Sequence, residues 1–113
     1  MTVVKRAAVE PEVIAEGRAR YLAHTPNLMV VVIDFEDGPQ DQPDPPHAHP
    51  HEQITYVAAG ELLFFIDGEP HHLSAGDLIT VPGDVPHTIQ LLSESVRLVD
   101  TFTSIREDFL PPS

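Results

Sequence analysis

The chain has no cysteine among its 113 residues. That removes disulfides, thiolate metal sites and cysteine nucleophiles together, and it fits a reducing compartment. Basic residues are scarce, six against 18 acidic ones, for a net charge of −12. Such a surface repels phosphate backbones, so nucleic acid is excluded as the expected partner. An anionic ligand would need a local arginine or a metal to hold it. No apolar run approaches the roughly 20 residues that span a bilayer, and MTVVKRAAVEPEV has no apolar region followed by a cleavage site. The expectation is a soluble, cytoplasmic chain with no membrane partner.

What is present is proline, 12 residues, with 42% hydrophobic residues. The first points to many turns and few long helices. The second argues against disorder. The length suits one domain, 1–113, with 111–113 as a frayed tail. Residues 9–19 read as a short helical turn limited by Pro11 and Gly17. Leu28–Phe35 is β-branched and reads as a strand, and residues 36–51, with five prolines, as a loop. Further strands are expected at Gln53–Ala58, Glu61–Ile66, His71–Leu73, Asp77–Val81, His87–Leu92 and Ser95–Thr103. Asp67-Gly68 is the strongest hairpin signal, because both residues tolerate positive φ. Short strands with frequent turns predict an all-β sandwich or barrel.

Seven histidines are many for this length, and four fall in His47-Ala-His49-Pro-His51 and Pro86-His87. Residues i and i+2 of a strand share a face, so His47 and His49 can aim two imidazoles at one point. Imidazole nitrogen suits borderline divalent metals. His87 heads a strand whose same-face neighbours Ile89 and Leu91 are apolar, and it is a reasonable third ligand. The fourth stays open among His51, Gln53 and Glu52, because Pro50 interrupts the alternation. A lone H-x-H also fits a surface turn. His24, His71 and His72 read as exposed or structural.

The string 47–60 resembles the first motif of the cupins, H-x-H-x3-4-E-x6-G, with His47, His49, Gln53 and Gly60 in register. The string 76–87 resembles the second, G-x5-P-x-G-x2-H, through Gly76, Pro82 and His87. Asp41 and Asp84 stand where the family has glycine, and the trailing Asn is absent. The resemblance implies a double-stranded β-barrel (jelly roll) and one divalent metal ion (Ni, Zn, Mn, Fe or Cu) on His47, His49, Gln53 and His87. It selects Gln53 as fourth ligand. A neutral amide leaves the site near +2, a better Lewis acid than a carboxylate site. It also implies a homodimer; exposed sheet edges leave room for Thr2–Val9 to add a strand to a partner, and the apolar excess on Leu62–Ile66 and the outward side of Gln53–Ala58 fits an interface.

In the last strand, Val96, Leu98, Asp100 and Phe102 share one parity. If that face points inward, Asp100 is a buried acid suited to proton transfer. Arg106 could grip a carboxylate, or pair with Glu107 or Asp108 at the surface. The run DTFTSIREDFL resembles the end of small cupins that linearise 4,5-unsaturated uronates to 5-keto-4-deoxyuronate. That resemblance implies catalytic roles for Asp100, Phe102 and Arg106 on a small anionic sugar. Two other readings carry different tests. A dioxygenase with an apolar pocket of Leu63, Phe64, Phe65, Ile66 and Met29 would consume oxygen. A non-catalytic sugar-sensing module would bind without turnover.

Overall fold

The computed structural model describes residues 1–111, so the expected tail lies mostly outside the described residues. Nine strands form: β1 Glu12–Ala15, β2 Arg18–His24, β3 Met29–Phe35, β4 Glu52–Ala59, β5 Glu61–Ile66, β6 Glu69–Ser74, β7 Leu78–Val81, β8 His87–Leu91 and β9 Val96–Thr103. A short 3₁₀ turn, Glu107–Phe109, follows. They build a six-stranded sheet in the order β1-β2-β3-β9-β4-β7 and a three-stranded sheet in the order β6-β5-β8. This is the all-β cupin barrel that the motifs imply.

Alternation explains which faces meet. Gln53, Thr55 and Val57 of β4 are buried while Ile54 and Tyr56 face out. Val96, Leu98, Asp100 and Phe102 of β9 are all buried. Phe35, Val57, Leu62, Phe64, Leu91 and Leu98 belong to one core cluster between the sheets, and Met29, Val31 and Phe102 form a second. The polar pair Thr55 and Asp100 faces inward at matched register, Thr55 opposite Asp100 and Gln53 opposite Phe102.

The turns follow their chemistry. Asp67 and Gly68 both take positive φ, 49° and 81°, as a two-residue hairpin requires. Gly60 sits at φ 87°, and a Cβ there would lie 2.2 Å from the Ser95 carbonyl oxygen. Asp84, at the family's glycine position, adopts φ 64°, which a short polar side chain tolerates better than most.

Two expectations are corrected. Residues 12–15 and 18–24 are strands, not a helical turn. β2 turns two arginines toward the interior where an apolar residue is the usual signal, so its period was hidden. His71 and His72 lie within β6, where the strand expected at His71–Leu73 puts them. The expected interface also divides: Leu62 and Phe64 are core, whereas Ile54, Tyr56 and Leu78 are exposed.

Candidate metal and ligand site

The two histidine stretches meet through backbone pairing. His47 and His87 form an isolated antiparallel bridge: the His47 N–H donates to the His87 carbonyl (3.0 Å), and the reverse bond is 2.8 Å. One turn further, the Asp84 N–H donates to the His49 carbonyl at 2.7 Å. These bonds lock the loop before β4 onto the turn before β8. The rings follow: His47 and His87 have centroids 4.3 Å apart, and His49 and His87 4.8 Å. One ligand atom from each of His47, His49 and His87 lies within 4.8 Å of the others.

Backbone carbonyls orient two of these rings. Nδ1 of His49 donates to the His51 carbonyl and Nδ1 of His87 to the Val85 carbonyl, both at 2.9 Å. Each neutral ring then carries its lone pair on Nε2. Nε2 of His87 is buried with no hydrogen-bond partner among the described residues. Nε2 of His49 faces Oε1 of Gln53 at 3.0 Å, while the Gln53 amide nitrogen donates to Thr55. Two lone pairs pointing at one another, beside an orphaned third, are costly without a cation. Carbonyl-fixed imidazoles presenting Nε2 are the usual support of a metal ligand. The donor set therefore fits a divalent ion. His51 and Glu52 are not in the cluster. Glu52 is exposed and accepts from the Thr103 hydroxyl.

Electrostatics agree. Burial, then the neighbouring histidines and Arg106, pushes His47 down to about 4. Burial likewise lowers His49 and His87. The three rings are neutral at pH 7, the state a metal requires.

Beside the cluster, Thr55 donates its hydroxyl to Oδ1 of Asp100 at 2.7 Å. Hydrogen bonds run from the Gln53 amide through Thr55 to Asp100, and Oε1 of Gln53 faces His49 at the other end. Burial raises Asp100 to about 6, opposed by the Thr55 bond and the Arg106 charge. Arg106 comes from the segment after β9. Its guanidinium stacks near Phe102 (5.4 Å) and Phe109 (4.4 Å) and pairs with Asp108 at 2.8 Å. Of the two anticipated fates of Arg106, the pairing with Asp108 is the one seen, and it engages Nε and Nη2 only.

His47, Gln53, His87, Asp100, Phe102, Arg106 and Phe109 line one cavity of about 480 Å³, and His49 and Thr55 stand behind its wall. Its apolar wall includes Ile33, Phe64 and Leu98. Of the residues expected in a dioxygenase pocket only Phe64 is there. Leu63 and Phe65 alternate to the other face of β5, and neither Ile66 nor Met29 lines the cavity. Sequence reasoning missed Arg18 and Arg20, which line the same cavity from β2. Their i, i+2 spacing in a chain so poor in cations was the available signal.

The Cupin domain model matches residues 34–102. The chain is 35% identical over 101 residues to the pectin degradation protein KdgF of Dickeya dadantii (strain 3937), covering 88% of this chain and 89% of that one. Among solved structures, KdgF from Halomonas sp. superposes with a TM-score of 0.87 at 30% identity, over 97% of this chain and 99% of the other. An RmlC-like cupin from Shewanella frigidimarina NCIMB 400 gives 0.84 at 35% identity, over 95% and 94%. A barrel of this topology and a match of this extent have one reading: the chain belongs to the cupin family, among the relatives that include KdgF.

Proposed function

We propose that the protein is a metal-dependent enzyme that linearises 4,5-unsaturated uronate monosaccharides to 5-keto-4-deoxyuronate. The observation that carries this reading is one cavity that combines lone-pair-bearing histidine nitrogens, a buried carboxyl near its midpoint at pH 6, and an arginine with a free edge. The likeness to a pectin degradation protein supports the same substrate class.

His47, His49, His87 and the Gln53 amide oxygen would hold the ion. When bound, a divalent ion supplies Lewis-acid polarisation of substrate oxygens. The remaining work falls to the chain. Linearisation moves one proton from the C1 hydroxyl to C4 and breaks the C1–ring-oxygen bond. It leaves an aldehyde at C1 and a ketone at C5, with no net oxidation. Arg106 holds the uronate carboxylate by a charge-assisted hydrogen bond. Asp100 gives its proton to C4 and, as carboxylate, recovers one from the C1 hydroxyl. Thr55 orients that carboxyl by donating to one of its oxygens, leaving the other for substrate. Phe102 packs against the sugar.

The test follows loss of the conjugated absorbance of an unsaturated uronate monomer with metal-loaded protein. The expected result is turnover that Asp100→Ala abolishes. No rate above background, or an Asp100→Ala variant as fast as wild type, would defeat the proposal. A homodimer through the outer sheet face, where Ile54, Tyr56 and Leu78 are exposed, belongs to the same reading. Light scattering at twice the chain mass, lost in Tyr56→Asp, checks it.

A further inference from the structure

Three of the six cationic side chains in this acidic protein, Arg18, Arg20 and Arg106, line a single cavity. Arg18 is fully engaged: Nε bonds Asp37, and Nη1 and Nη2 bond Asp44. Arg20 and Arg106 are half engaged. Arg20 gives Nε and Nη2 to Glu12, and Arg106 gives Nε and Nη2 to Asp108. Neither Nη1 has a protein acceptor among the described residues, and neither is sealed from the cavity and solvent. Both guanidinium groups pack on one ring, their central carbons 3.9 and 4.4 Å from the centroid of Phe109. Their side chains are only 13% and 14% exposed, and both residues line the cavity.

The chemistry proposed above uses one carboxylate and one of these edges. A second planar fork of the same charge, on the same ring, is matched by a second carboxylate. The cavity, about 480 Å³, lies in the range that encloses drug-sized molecules. A di-uronide is of that size and a single uronate has half its heavy atoms. We infer that Arg20 anchors a second carboxylate and that the cavity binds di-uronides, one acid group on Arg106 and the other on Arg20. This rests on the uronate reading of the same site. An unsaturated di-uronide has its C1 oxygen in the glycosidic bond and no hydroxyl proton there to lose. It is held without ring opening and competes with the monosaccharide.

The experiment is calorimetric titration of the metal-loaded full chain with galacturonate and with digalacturonate, neither of which reacts. The expected result is at least tenfold tighter binding of digalacturonate. Arg20→Met should reduce that advantage to within twofold, whereas Arg106→Met weakens both ligands. Arg20→Lys keeps the charge and stem but loses the fork, so most of the advantage should go there too. Should Arg20→Met not fold, the lysine variant decides. Equal affinity of wild type for the two acids, or an advantage that survives at Arg20, overturns the inference. Wild type that binds neither acid defeats this inference and the uronate reading together. A digalacturonate preference without turnover of the unsaturated monomer defeats the proposed reaction alone.

Discussion

Replacing Asp100 by Asn should make the metal-free protein more stable at pH 7.5, not less. The carboxyl is buried among Thr55, Phe102 and Leu98 in a face otherwise apolar, and burial raises it from 3.8 to about 6. At 1.36 kcal/mol per unit that is about 3 kcal/mol of preference for the neutral form. A group with a raised folded pKa binds protons better in the native state. Its contribution is fully present below pH 3.8 and is lost as pH rises through about 6. Above that, wild type carries a desolvated carboxylate and the amide variant does not. Asn keeps an oxygen to accept the Thr55 hydroxyl. The assay is urea unfolding by circular dichroism in chelator, from pH 3.5 to 8, for both proteins. The histidines titrate in both and cancel in the difference. The variant should gain about 3 kcal/mol at pH 7.5 and nothing at pH 3.5. A variant equal to or weaker than wild type at pH 7.5, or a difference independent of pH, refutes the burial argument.

Other outcomes follow from the same geometry. Asp44→Ala frees the loop ahead of His47 from Arg18 and Gln40; metal affinity should fall by about 10–100-fold, as loss of an orienting contact does, measured by competition with a chromophoric chelator. Arg106→Met should raise KM for an unsaturated uronate by about 10–100-fold, the loss of one charge-assisted hydrogen bond of roughly 1.5–3 kcal/mol, with steady-state kinetics as the check. Metal affinity should be nearly flat from pH 8 to 7 and fall toward pH 4, because protons compete only as the rings approach their lowered pKa values, His47 at about 4; equilibrium dialysis reads it. Phe64→Ala empties a fully buried position stacked 6.1 Å from the His87 ring and should cost about 3–5 kcal/mol in urea unfolding.

The barrel was legible wherever one strand face is apolar and the other polar. β4 and β9 show that alternation, and Asp67-Gly68 marks the hairpin between β5 and β6. β2 was not legible, because Arg18 and Arg20 occupy its inward positions, their stems along the wall of a cavity and their heads paired with Asp37, Asp44 and Glu12, where a strand usually shows apolar residues. The i, i+2 spacing singled out the first two histidines, although both lie in the loop before β4 and not in a strand, and their meeting with His87 depends on a bridge between residues 40 apart that no local pattern encodes. Parity alone left His51, Gln53 and Glu52 open beside them. In the fold Gln53 is buried at Nε2 of His49, whereas Glu52 turns outward on β4. The inward parity of Asp100 was readable from Val96, Leu98 and Phe102. Its bond to Thr55 was not, since that needs the register between β4 and β9.

The central claim is that His47, His49, Gln53 and His87 hold one cation. Titrating the chelator-stripped chain with Ni²⁺ or Zn²⁺ by calorimetry, alongside a His49→Ala/His87→Ala double variant, tests it most directly. The account requires one ion per wild-type chain and none in the variant at the same concentrations. Undiminished binding by the folded variant, or no stoichiometric binding by wild type, contradicts it.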